Sequence, residues 1–224
     1  FAPHHALGGP QGLKKLIDAC HARGLAVFID VVYNHLGPSG NFLPQYGPYF
    51  DDHVSTLWGD AVNLAGPHSD EVRRFFIDNA LMWLRDYHAD GLRFDAVHAF
   101  YDPGAMHILE ELAIEVDALQ AHLRRTLSLV AESDLNDPRI VRSIDAGGYG
   151  IEAQWSDDFH HALHAWLTGE SSGYYSGFGN VAHLALALKN AYVYAGSYCP
   201  YRSRRHGRPA AGLSAHCFLG YIQN

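Results

Sequence analysis

The residues best equipped for chemistry in this chain are two acids, Asp95 and Glu132. Each closes an apolar run that reads as a strand, Gly91-Leu-Arg93-Phe-Asp95 and Leu127-Ser-Leu-Val-Ala-Glu132. Two carboxylates presented together can cleave a glycosidic bond, one attacking the sugar while the other protonates the leaving oxygen. Arg93 stands two residues before Asp95, so strand alternation puts both side chains on one face, where a guanidinium keeps the carboxylate ionised and oriented. That suits a nucleophile. Glu132 ends an apolar strand, where partial desolvation and a second carboxylate favour retention of a proton for a leaving group. That suits a general acid.

A third signature, Asp30-Val-Val-Tyr-Asn34-His35, also ends a strand-like run and offers neutral donors for sugar hydroxyls or a carboxylate. Asp30 taken alone fits a structural role as well as a functional one. His98, three residues beyond Asp95, falls at the rim of the same cleft. Among the aromatics, Trp155 sits at a strand end and is the one expected to stack on a sugar ring; Tyr33, Tyr46, Tyr49, Phe50 and Trp58 are as readily explained by packing. Two clusters read as ordinary. Asp157, Asp158, His160, His161 and His164 include an i, i+4 histidine pair, but the glutamate of an HExxH motif is missing, so an N-cap and a solvated face are expected and no metal. Arg202, Arg204, Arg205 and Arg208 are expected in a solvated loop.

Residues so far apart in sequence meet only if their strands end on one side of a sheet, as in a parallel βα barrel. The pattern supplies such units. Apolar residues at 13, 16, 17 and 20 mark a helix over 12–23, ending at Gly24, and a near-continuous apolar run at 25–32 marks a strand covered on both faces, which would bury Asp30. A Gly-, Pro- and aromatic-rich stretch over 36–66 is too long for a simple connector. A helix is expected from Ser69 with Val72, Phe75, Phe76 and Leu84 on its buried stripe, then a strand at 92–97, a helix near 104–125 and a strand at 127–132. A short helix from Asp137, a strand near 151–155, a helix near 157–168 and a last strand at 217–222 complete the pattern. The expected class is α/β, a partial (β/α)8 TIM barrel with about five of the eight parallel strands. A doubly wound open sheet fits less well, because no strand is followed by a Gly-rich phosphate turn.

With 16 basic and 24 acidic residues the chain carries a formal charge of −8, which argues against a nucleic-acid surface and suits a neutral polysaccharide. No apolar run is long enough to span a membrane. Three cysteines without metal-ligand spacing favour free thiols and a reducing compartment, the cytoplasm by default. The chain starts at Phe1 without an initiator Met, and residues 1–224 are expected to be the central part of a catalytic barrel domain truncated at both ends.

Asp30-Val-Val-Tyr-Asn-His35, Gly91-Leu-Arg-Phe-Asp95 and Ala131-Glu132-Ser resemble the first three conserved regions of the α-amylase superfamily, and Ile222-Gln-Asn224 resembles the start of the fourth. Within it, Tyr33-Asn-His-Leu-Gly-Pro-Ser-Gly-Asn41, Ala131-Glu-Ser-Asp-Leu-Asn-Asp-Pro138, Gly147-Gly-Tyr-Gly150 and Ala153-Gln-Trp-Ser-Asp-Asp-Phe-His-His-Ala-Leu-His164 resemble the maltooligosyltrehalose trehalohydrolase family. The resemblance implies a retaining hydrolase that cuts the α-1,4 bond beside the trehalose end of maltooligosyltrehalose and releases trehalose. It implies Asp95 as nucleophile and Glu132 as general acid/base, with Asp30, Asn34, His35, Arg93 and His98 shaping the sugar site and a third carboxylate just after Asn224. No cofactor or metal is expected, although superfamily members often bind calcium. A branching enzyme or an α-amylase-type hydrolase would share both acids. A non-catalytic glycan-binding barrel would not need them.

Overall fold

Strong helix formers alternate with β-branched runs along this chain, and the computed structural model, which describes residues 1–37, 39–56 and 59–223, turns them into alternating helices and strands. Trp58, named above among the aromatics explained by packing, and Asn224, part of the fourth motif, lie outside the described residues, as does Pro38 of the Tyr33–Asn41 stretch. The chain divides into two compact units, residues 1–95 with 99–130, and residues 96–98 with 131–224.

In the first unit, Pro10 opens helix α1 (Gly9–His21), where a missing amide hydrogen costs nothing. Strand β1 (Phe28–Val31) follows. The expected connector holds an antiparallel hairpin, β2 (Phe50–Thr56) and β3 (Gly59–Val62), with a register shift between Asp51 and Ser55. Helix α2 (Ser69–Asp86) carries Asp70 and Glu71 at its positive end and buries Val72, Phe76, Ile77, Ala80, Trp83 and Leu84, the core-facing rows of a 3.6-residue repeat. Phe75, expected on that stripe, is half-buried. Strand β4 (Gly91–Phe94) pairs parallel with β1, Arg93 opposite Asp30. A Cβ on Gly91 would overlap the Ser128 carbonyl and the Phe28 ring, so only glycine fits there. Helix α3 (Ile108–Leu123) starts with the His107 ring accepting from the Leu109 amide, and strand β5 (Ser128–Glu132) follows.

In the second unit, strand β6 (Ala153–Trp155) leads into helix α4 (Asp157–Thr168), whose first turn is capped by Ser156 Oγ. Helix α5 (Val181–Asn190), capped by Asn180, precedes a two-residue hairpin of β7 (Tyr198–Cys199) and β8 (Arg204–Arg205). Strand β9 (Phe218–Leu219) pairs parallel with β6. The five barrel-type strands run β1-β4-β5-β6-β9 in one sheet.

Four expectations are corrected. Within residues 1–224 strand β1 stands at the end of the sheet, with Phe28 45% exposed and the Asp30 side chain 58% exposed, so the expected cover on both faces and the burial of Asp30 are not supplied by this segment. No helix forms from Asp137. A single turn closed by Arg142 N to Pro138 O stops there, because the Gly148 backbone packs so tightly on Arg142 that a side chain has no room, and the chain folds back through Ile144–Ala146. The last strand shortens to two residues. Finally, α5 and the β7–β8 hairpin lie where no element was expected; Ala- and Leu-rich 181–190 does hold a helical repeat after the Asn180 cap.

Candidate active site

Strand β4 hands its last turn to Asp95, whose amide bonds Val31 O of β1 at 3.0 Å. Alternation then does what the spacing requires: Arg93 NH1 donates to Asp95 Oδ1 at 2.9 Å and to Asp30 Oδ1 at 2.7 Å. Asn34, fully buried three residues past β1, donates Nδ2 to the other Asp95 oxygen at 3.0 Å and to the Asp95 carbonyl at 2.8 Å. Both carboxylate oxygens therefore receive a donor, which fixes the rotamer. His35 contacts Asn34 Oδ1 through Nδ1 and so orients the amide that holds Asp95. Asp30, Asn34, His35 and Arg93 are thus gathered around Asp95 in the first unit.

In the second unit Glu132, the last residue of β5, accepts from the Ala96 amide at 3.0 Å. Ala96 has φ of 40°, a left-handed conformation costing a side-chain-bearing residue about 1 kcal/mol. It immediately follows Asp95 in sequence, and its strained amide points at the second acid. His98 lies 3.7 Å from Asp134 Oδ1, and its Nδ1 is buried with no hydrogen-bond partner among the described residues. Trp155 is half-buried with its ring 4.7 Å from Tyr221.

Sequence reasoning missed a buried polar cluster beside Glu132. Asp134 is held by Arg202 NH2 at 2.5 Å while its carbonyl meets His206 Nε2 at 2.8 Å. Burial alone would raise the Asp134 carboxyl, but His98, Arg202 and His206 together bring it below the ordinary carboxylate value. The arginine loop is therefore not uniformly solvated: Arg202 turns inward while Arg204 and Arg205 stay exposed. No local pattern reveals this, since Asp134 and Arg202 are paired across a long sequence separation. The start of α4 is buried too, not a solvated face. Asp158 accepts from the Val193 and Tyr194 amides and from Asn136, and Asp157 accepts from the Tyr221 hydroxyl. Burial first, then neighbouring carboxylates, push Asp157 up to about 7. Asp134, Asp157, His161, Arg202 and His206 line a cavity of about 20 Å³, room for about one water.

The His160–His164 pair has other partners: His160 meets Tyr175 and Gln223 through its two nitrogens, and His164 bonds Glu170. Asp51, Asp52 and His53 bring a ligand atom each within 4.8 Å of one another on the hairpin. There His53 Nδ1 already lies 3.2 and 2.9 Å from the two carboxylates, which does not fit calcium, an ion that takes about six to eight oxygens. The three cysteines are free. Among the described residues no helix is long and apolar enough to cross a membrane.

No protein-family model matches the chain. Curated relatives do. The malto-oligosyltrehalose trehalohydrolase of Arthrobacter ramosus is 57% identical over 93% of this chain and 36% of its own length. That of Saccharolobus solfataricus is 45% identical over the whole of this chain and 39% of its own. A 1,4-α-glucan branching enzyme of Thiobacillus denitrificans is 32% identical over 70% of this chain. The crystal structure of a putative α-amylase from Salmonella typhimurium superposes with a TM-score of 0.89 at 38% identity, over 99% of this chain and 38% of that one. The chain thus spans just over a third of the length of the curated relatives it matches. The five-stranded parallel α/β arrangement is that of the α-amylase-type barrel.

Proposed function

The chain belongs to the malto-oligosyltrehalose trehalohydrolase family of α-amylase-type enzymes, and from that premise we propose that its protein is a retaining glycoside hydrolase. The substrate is maltooligosyltrehalose; the bond cut is the α-1,4-glucosidic bond beside its trehalose end, so the protein serves trehalose production. Residues 1–224 form the central part of its catalytic barrel. Asp95 attacks the anomeric carbon while Glu132 passes a proton to the departing glycosidic oxygen. Glu132, now a carboxylate, takes a proton from water, which releases the sugar from Asp95 with configuration retained. Double displacement needs the two carboxyls about 5–5.5 Å apart. Asp30, Asn34, His35, Arg93, His98 and Trp155 shape the sugar site, and the chemistry is complete in carboxylates and water.

The observation that carries this reading is the hold on Asp95: Arg93 on one oxygen and Asn34 on the other orient its carboxyl group. The Ala96 amide, which follows Asp95 in the chain, donates to Glu132 and orients that carboxyl. The free thiols support a reducing compartment such as the cytoplasm. The test is product analysis with the full-length protein on maltooligosyltrehalose and, separately, on plain maltooligosaccharide. Trehalose from the first and little cleavage of the second is expected. New branch points, or internal cuts in the plain chain without trehalose, would replace the reading by a branching enzyme or an α-amylase, and glycan binding with no product would replace it by a binding module.

A further inference from the structure

We propose that Asp158 is a positioning residue for Glu132: one oxygen of its carboxyl group joins the backbone leaving Glu132 to a strap over residues 192–208, and this joint fixes where Glu132 presents its proton. This rests on the reading of Glu132 as general acid/base. Asp158 is 5% exposed in the first turn of α4. Three donors converge on its Oδ2: the Val193 and Tyr194 amides of the strap at 2.7 and 3.0 Å, and Asn136 Nδ2 at 2.9 Å. Asn136 lies four residues past Glu132, the last residue of β5. A single atom therefore ties both segments together.

The strap also grips the residues between Glu132 and Asn136. The buried Tyr192 hydroxyl donates to Gln154 Oε1 at 3.1 Å, and Gln154 Nε2 in turn donates to Ser133 O at 3.0 Å. His206 Nε2 donates to Asp134 O at 2.8 Å, and Arg202 NH2 donates to Asp134 Oδ2 at 2.5 Å. Asn136 closes the set, its Nδ2 donating also to Tyr194 O at 2.9 Å and its carbonyl accepting from the Arg208 amide at 3.0 Å. The Ala96 amide meets the Glu132 carboxyl at its tip; the strap fixes the backbone at its base. A shift of that backbone is carried out along the side chain, and a catalytic group displaced by about 1 Å loses on the order of 100-fold in rate. Without the Asp158 oxygen the two strap amides and the Asn136 amide lose their common acceptor, and buried donors left unpaired force the strap to re-seat.

The experiment compares kcat/KM, which reads the steps up to the glycosyl-enzyme, on two substrates for the full-length protein and its Asp158→Ala variant. One is maltooligosyltrehalose, or another α-glucan if the protein proves to cut that instead; the other is α-maltosyl fluoride, whose fluoride departs without a proton. Asp158→Ala is expected to lose roughly 100-fold on the glucan and under about fivefold on the fluoride. Asp158→Asn, which keeps an acceptor oxygen, should recover at least about tenfold of the glucan loss. If Asp158→Ala does not fold, Tyr192→Phe, which removes only the hydroxyl holding Gln154, decides by the same comparison, with a loss of roughly fivefold on the glucan and none on the fluoride. Equal losses on both substrates, or no loss on either, in a folded variant would overturn the proposal. Glu132→Gln, measured alongside, separates the two failures: if it spares the fluoride while Asp158→Ala does not, this proposal alone falls, whereas equal losses in both variants overturn the acid/base reading with it.

Discussion

Replacing Arg73 with Met should loosen two loops at once. The buried Arg73 guanidinium donates to Leu64 O at the end of the hairpin, to Met106 O before α3, and to Asp102 and Glu111. Glu111 is 31% exposed and returns to water when its partner goes, so its share is small. Asp102 is different. Its side chain is fully buried, and after the substitution it keeps only the Gly104 and Ile108 amides. Stranding one partner of a buried pair costs about 3–5 kcal/mol, and the two remaining amides argue for the lower end, about 3 kcal/mol. Hydrogen exchange read by mass spectrometry on the full-length protein should show amides in 62–68 and 100–110 opening roughly 100-fold more often, and Arg73→Met with Asp102→Asn should recover part of the loss. A change under about threefold in both segments would show that the pair contributes no more than a surface salt bridge and refute the argument.

Two further outcomes follow from the acids. Asp157 titrates near 7 when folded against 3.8 when free, so its native-state advantage is complete below about pH 4 and lost as pH rises through 7. Thermal melts of Asp157→Asn should show a stability gain over the unmodified protein that grows between pH 4 and 7, towards an upper bound of about 4 kcal/mol, and then levels off; a gain independent of pH would sink this. Glu132→Gln should lose orders of magnitude on a maltooligosaccharide but much less on an aryl glycoside whose phenolate needs no proton, and equal losses on both substrates would contradict the acid/base role.

What was legible in the sequence was whatever depends on local order. The apolar run closing at Glu132 placed β5 to within a residue, whereas β4 starts one residue before the expected 92 and ends three before the expected 97; the two-residue step from Arg93 to Asp95 foretold their hydrogen bond because strand alternation leaves no other face. The Asn34 grip on Asp95 was only half visible: neutral donors past a strand end were recognisable, their target was not. What escaped depends on tertiary partners. Asp30 looked buried because its neighbours are apolar, yet within residues 1–224 no strand lies on the outer side of β1 to cover it, and its side chain is 58% exposed. Arg202 and Asp134 are distant in sequence, and the acids opening α4 looked like a cap until Tyr221, Val193 and Tyr194 folded over them. The positive φ of Ala96 had no signal at all, since alanine gives no warning of a left-handed turn.

The central claim is that Asp95 forms the covalent bond and Glu132 manages the proton. It is tested most directly by trapping the intermediate in the full-length protein carrying Glu132→Gln, using a fluorosugar with a fluoride leaving group, which reacts without an acid but waits for a base. Peptide mass spectrometry should then find one glycosyl group esterified to the peptide holding Asp95. A label on a different carboxylate, or no label with product of inverted configuration, would contradict the account.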